Sequence, residues 1–173
     1  LWPRHELNGV MRPLRNSTIL IAGFGHIGQW CGKLLKPFGT KIIGLRRNIS
    51  ATRPEWMDSD DDVIGENSLE NILPQVDHLI MALPSGKETE NLMNASRLDL
   101  LPKHATITNI GRGNSIDETH IVSMLNAGKL AAACLDVFKS EPLKKESIVR
   151  NCKNLWIFPH SFAISPNYLD LYV

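Results

Sequence analysis

The sequence predicts an α/β fold: a doubly wound parallel β-sheet with helices on both faces, a three-layer αβα sandwich. Three observations carry that expectation. Short apolar runs recur along the chain and are continuous rather than alternating, as in strands covered on both faces. Amphipathic stretches of helical period separate them, as βαβ units require. The first run passes straight into Gly23-Phe24-Gly25-His26-Ile27-Gly28 and then into a helical stretch, so a tight glycine turn joins strand to helix.

Thr18–Ala22 is the first expected strand. Lys41–Leu45, His78–Ala82, Ala105–Asn109, Ala131–Leu135 and Leu155–Phe158 follow it, giving a sheet of six. Ile27–Pro37 and Asp117–Ala127 are the longest expected helices, and Gly128 stops the second. Asn67-Ser68 ahead of Leu69–Leu73 reads as a cap opening a short helix. The stretch Arg53–Glu66, with Asp58, Asp60, Asp61 and Asp62, is expected to be a solvated loop, because its aspartates lack the ordered spacing of a calcium loop. No metal site is expected. No internal repeat or linker divides the chain, so residues 1–173 are expected to form one domain, with residues 1–17 leading into the first strand.

At 43% hydrophobic and 21% charged residues the composition is that of a globular protein, which excludes a disordered or collagen-like chain. A net charge of +1 provides no basic face, so nucleic acid is not an expected partner. No run approaches the roughly 18 consecutive apolar residues of a membrane helix, so a membrane is not expected either. Cys31, Cys134 and Cys152 are an odd, widely spaced set, which suits reduced thiols in a reducing compartment. The cytoplasm is the expected location, and the start at Leu1 rather than methionine leaves an organellar leader open.

The glycine turn meets three physical needs in order. Gly23 allows the sharp turn, Gly25 lets a pyrophosphate approach the backbone, and Gly28 lets the helix pack closely on the sheet. The helix N-terminus behind His26 and Ile27 then offers N–H groups and a dipole to an anion. A Rossmann-type dinucleotide site is the expectation. About 20 residues further on, NAD-binding chains carry an acidic residue for the ribose hydroxyls. Here the second strand ends in Arg46-Arg47. A guanidinium grips a 2′-phosphate through charge-assisted hydrogen bonds, so NADP is the expected cofactor and NAD the alternative. The competing reading of the pair is a solvated surface loop.

Ligands of open parallel sheets bind beyond the carboxyl ends of the strands, which directs attention to three side chains. Arg112 follows the strand ending at Asn109, Glu141 follows the strand ending at Leu135, and His160 follows Phe158-Pro159. Reducing a ketone builds charge on its oxygen and needs a proton from a group that titrates near neutrality, which suits a histidine whose charged form a carboxylate favours. A guanidinium matches a substrate carboxylate in two-point geometry. Taken singly, these are equally a solvated arginine, a turn glutamate and a loop histidine.

Together with the glycine turn, the Gly111-Arg112-Gly113 turn, the stretch from Asp136-Val137-Phe138 through Glu141-Pro142-Leu143, and the Pro159-His160 pair resemble the NAD(P)-binding domain of the D-isomer-specific 2-hydroxyacid dehydrogenases, in the same order and over nearly the whole chain. That resemblance implies that Arg112 binds the carboxylate and carbonyl of a 2-oxo acid and that His160 exchanges the proton. It pairs Glu141 with His160 and places Asp136 near the nicotinamide. Leu83, Pro84, Thr89, Ile110 and Gly111 would line the cofactor, alongside Arg112 and His160. The chain departs from the family pattern at Ser85-Gly86-Lys87-Glu88 and at Ser161-Phe162-Ala163, which bears on substrate identity.

The resemblance also implies a two-domain enzyme in which chain on both sides of the cofactor domain builds the substrate domain, so that domain is expected to be absent here. Trp2 and Leu7 in the lead-in are expected to pack on the domain or a second subunit, and Ser165–Val173 resembles the start of a helix. The expected activity is NADPH-dependent reduction of a small 2-oxo acid such as glyoxylate or hydroxypyruvate by a homodimer joined through the cofactor domain. The alternative is a dinucleotide-sensing binding protein, like the co-repressor relatives of the family, without turnover.

Overall fold

The computed structural model describes residues 12–164; the expectations for Trp2, Leu7 and the Ser165–Val173 tail lie outside the described residues. Seven strands form one parallel sheet in the order β3-β2-β1-β4-β5-β6-β7. They are β1 (Thr18–Ala22), β2 (Lys41–Leu45), β3 (Asp62–Ile64), β4 (His78–Met81), β5 (Thr106–Asn109), β6 (Ala132–Leu135) and β7 (Leu155–Ile157). β1 pairs with β2 on one side and β4 on the other. The strand order therefore reverses between β1 and β4, and a crevice opens at their carboxyl ends.

The continuous apolar runs have the expected physical cause. Alternate side chains of β1 enter opposite layers: Leu20 and Ala22 join the larger core, while Ile19 and Ile21 join Phe24 and Ile42 in a smaller one. Neither face sees water, so neither set can be polar. Each fully buried Leu or Ile contributes about 1.5–3 kcal/mol, which makes the pattern costly to break.

Four helices cover the sheet: α1 (His26–Leu35), α2 (Leu69–Ile72), α3 (Ala95–Leu98) and α4 (Glu118–Asn126). α1 gives way to a 3-10 turn over Lys36–Phe38, where Pro37 removes an N–H, so it ends two residues before the expected limit. α4 begins as expected, with the Asp117 carboxylate accepting from the His120 N–H at 2.9 Å, and Gly128 follows it at φ 66°. The expected Ser68 cap is not formed. Ser68 has helical dihedrals at the end of a 3-10 turn, Glu66–Ser68, that runs directly into α2, so its hydroxyl accepts no capping bond.

The stretch 53–66 corrects a second expectation. It is not simply a solvated loop, because it contributes β3 to the sheet edge. Asp61, ahead of that strand, is only 3% exposed. Its carboxylate accepts from Lys36 Nζ at 2.7 Å and from the backbone N–H groups of Ile42 and Asp58 at 2.8 and 2.9 Å. A carboxylate with three donors can be buried, and here it fastens the segment to α1 and β2. Among the described residues no helix is long and apolar enough to cross a membrane.

Candidate active site

Three strand ends meet at the crevice. The backbone of Gly23 lies so close to β4 that a Cβ there would stand 2.6 Å from the Ala82 carbonyl oxygen. One on Gly111 would stand 2.6 Å from the Leu83 nitrogen. Leu83, buried, is thus the backbone spacer between the β1 and β5 turns, while Pro84 beyond it is exposed. The Thr89 hydroxyl donates to the Pro84 carbonyl at 2.7 Å and so closes its own loop.

Each glycine of the first turn has its own reason. Gly23 has φ 99°, a conformation that L side chains rarely adopt, and its N–H and that of Phe24 donate to Leu45. A Cβ on Gly28 would meet the Gly23 carbonyl oxygen at 2.3 Å. At Gly25 it would meet nothing within 4 Å. Gly25, His26 and Ile27 are exposed around the start of α1, whose first turn contains no acidic residue and whose cap forms no side-chain bond. The free N–H groups and open backbone fit an anionic diphosphate.

At the end of β2 the two arginines separate. Arg46 Nη2 donates to the carbonyls of Ala51 and Thr52, tying down the following loop, and its Nε is buried without a partner among the described residues. Arg47 extends into solvent and pairs with Glu88 from the loop after β4.

The three chemical candidates stand on turns held by backbone bonds. Beyond β5, the buried Asn109 side chain accepts from the Gly111 N–H at 3.0 Å and donates to the Arg112 carbonyl at 3.2 Å, while Ser115 Oγ donates to the same carbonyl at 2.7 Å. Ile110 N–H donates to Met81. Arg112 itself is exposed at the lip, with Nη1 on the Gly111 carbonyl.

Beyond β6, Glu141 Oε1 accepts from the Phe138 N–H and Oε2 meets His160 Nδ1, both at 2.8 Å. Burial alone would raise the Glu141 carboxyl. The His160 hydrogen bond, the Phe138 N–H and the charges of His160 and Arg112 outweigh it and hold the group below its ordinary value. Being ionised, Glu141 can only accept, so Nδ1 carries hydrogen and Nε2 is left for a ligand.

Asp136 is 3% exposed. Both carboxylate oxygens accept from backbone, Ser161 N–H at 2.8 Å and Phe162 N–H at 3.0 Å, and its carbonyl accepts from His160 N–H. It anchors the turn in which His160 takes φ 55°. A cavity of about 590 Å³ beside the pair is lined by Phe138, Glu141, Pro142, Arg150, Phe158 and His160.

The structure thus brings Glu141 and His160 into contact and sets Arg112 within range of their charge, while Arg46 and Arg47 stand at the opposite end of the crevice. Sequence reasoning missed Asn109, whose amide holds the Arg112 turn. It carried a signal, since an amide at the end of a strand buried in the sheet needs a polar partner.

Among the described residues, a seven-stranded parallel sheet with a glycine turn at its switch point defines a Rossmann-type dinucleotide-binding domain. The chain belongs to the D-isomer specific 2-hydroxyacid dehydrogenase, NAD binding domain family, whose model matches residues 2–161. It is 35% identical over 144 residues to a glyoxylate reductase of Thermococcus kodakarensis, covering 83% of this chain and 41% of that protein. A D-isomer specific 2-hydroxyacid dehydrogenase family protein from Aeromonas salmonicida superposes with a TM-score of 0.82 at 32% identity, over 98% of this chain and 56% of that one. An NADPH-dependent glyoxylate/hydroxypyruvate reductase from Sinorhizobium meliloti, solved with NADP and sulfate, gives 0.80 at 28% identity, over 98% and 55%. The chain spans about half the length of the proteins it matches, or less.

Proposed function

We propose that this domain binds NADPH and, in the whole protein, serves the reduction of a small 2-oxo acid of the glyoxylate or hydroxypyruvate type. The observation that carries the reading is the 2.8 Å contact between His160 Nδ1 and Glu141 Oε2, on the same sheet edge as Arg112 and the glycine turn. The likeness to glyoxylate reductases supports the substrate class. The cofactor supplies hydride when bound. Arg112 holds the substrate carboxylate and turns its carbonyl toward His160. His160 delivers a proton from Nε2 to the carbonyl oxygen, and Glu141, which accepts from Nδ1, keeps the ring oriented.

NADPH rather than NADH follows from the charge at the β2 end. β2 ends in no carboxylate that would repel a 2′-phosphate, and the exposed Arg47, paired with Glu88 of the loop after β4, exchanges the Glu88 carboxylate for the phosphate. NADPH oxidation, followed with a panel of 2-oxo acids and repeated with NADH, tests both claims. Turnover with NADPH, together with a loss of about tenfold or more in NADPH affinity for Arg47→Ala and little change for NADH, is expected. Absence of turnover with every acid would favour a dinucleotide-sensing role, and equal affinities would remove the phosphate assignment.

The same domain is proposed to pair with a second copy along α1. Ile27, Trp30, Leu34 and Phe38 recur at helical spacing and are 62%, 51%, 66% and 56% exposed, an apolar stripe that water covers at a cost. Sedimentation is expected to show a dimer that Trp30→Glu converts to a monomer; an unchanged dimer would place the contact elsewhere. Three free cysteines, with burial raising each thiol, fit a reducing compartment such as the cytoplasm.

A further inference from the structure

The proton-donor pair depends on a peptide link that neither of its members makes. Phe138-Lys139 crosses behind the Arg112 turn so closely that a Cβ on Gly113 would lie 1.9 Å from the Phe138 carbonyl carbon and 2.3 Å from the Lys139 nitrogen. Nothing separates the two backbones, so the Arg112 turn and the segment leading to Glu141 are in direct register. The N–H of Phe138 donates to Glu141. The next N–H, that of Lys139, donates to the carboxylate of Glu118, the first residue of α4.

An acidic residue in a first helical turn ordinarily favours its own helix dipole. Glu118 instead reaches 21 residues along the chain to another element. It is half-buried, and burial raises its carboxyl; the Lys139 N–H and ammonium oppose that, while Glu141 and Asp117 add to it. Two carboxylates thus hold consecutive N–H groups of one segment.

We propose that Glu118 is a positioning residue for the proton donor: by holding Lys139 it presses the segment against Gly113 and sets the reach of Glu141 to His160, in register with Arg112. The inference rests on the reading of Glu141 and His160 as a pair. Without Glu118 the Lys139 N–H turns to water, the segment loosens from Gly113, and the carboxylate of Glu141 no longer meets Nδ1 in one fixed geometry. His160 has φ 55° and is anchored by Asp136, so it does not follow.

The ring tautomer of His160 reports this without turnover. In water neutral imidazole prefers hydrogen on Nε2, whereas the Glu141 contact requires it on Nδ1. Nitrogen-15 spectra of the 173-residue chain at alkaline pH measure the ratio. Glu118→Ala is expected to shift it toward Nε2 by about fivefold, the size of one net hydrogen bond, and Glu118→Gln, which keeps an accepting oxygen, to restore it. Should Glu118→Ala fail to fold, Glu118→Asp carries the test, because it keeps the charge and withdraws the oxygen by one methylene. A wild-type ratio in a folded Glu118→Ala or Glu118→Asp chain overturns the proposal. Glu141→Ala, which removes the acceptor, distinguishes the two levels: if it too leaves the ratio unchanged, the pair itself is wrong and the positioning role falls with it. A lowered melting temperature with an unmoved tautomer would assign Glu118 to stability alone.

Discussion

Gly25→Val is expected to leave the domain folded and to weaken NADPH binding by about 100-fold or more, since each charge-assisted hydrogen bond lost costs about 1.5–3 kcal/mol and 1.4 kcal/mol is tenfold. The reason lies in a contrast within one turn. Gly25 has φ −87° and ψ −153°, extended backbone open to any residue, and an added Cβ would touch no protein atom within 4 Å. The fold therefore makes no demand for glycine at this position. What remains is the ligand, whose diphosphate must approach the first N–H groups of α1 with no side chain between. Gly28 is the opposite case. Its Cβ would lie 2.3 Å from the Gly23 carbonyl oxygen and 3.1 Å from Ile21 Cγ2, so Gly28→Val is expected to unfold the domain or lower its melting temperature sharply. Thermal melts and a fluorescence titration with NADPH separate the two. Undiminished binding by a folded Gly25→Val chain would take the glycine turn out of the cofactor site.

The same contrast explains what could be read from the sequence. β1, β2 and β4 to β7 were legible because burial against helices on both faces enriches them in apolar residues, a local signature. β3 was not, since it opens on Asp62 and follows Asp58, Asp60 and Asp61, and only the tertiary partners of Asp61 make a buried carboxylate tolerable. Arg112, Glu141 and His160 were singled out because each follows a strand and matches a family motif. The contacts of Asp136 were not, because its two N–H donors lie 25 and 26 residues away. Glu118 was hidden for the same reason. At the head of a helix an acid needs no further explanation, and only the fold reveals that it reaches Lys139.

His160→Ala in the whole protein is expected to lower turnover by about 10²- to 10⁴-fold, the usual worth of a positioned acid–base group, while leaving NADPH affinity within about twofold. The imidazole lies across the crevice from the glycine turn, and its backbone is held by Asp136 whatever its side chain. Binding and proton delivery should therefore part company. Glu141→Gln is expected to cost less, since its amide oxygen still accepts from Nδ1. Its effect on stability has a definite sign. The Glu141 carboxyl is held below its ordinary value in the folded chain, so the contribution is present above the unfolded value and fades as pH falls through the folded one. Wild type is expected to melt above Glu141→Gln at neutral pH, by a small margin because the side chain is 35% exposed, and the two are expected to converge in acid, below the ordinary carboxyl value of about 4.3. Melting curves across that range check the sign. A gap that widened on acidification would mean that the carboxyl is held neutral rather than charged, and Glu141 would then be unable to orient the histidine as an acceptor.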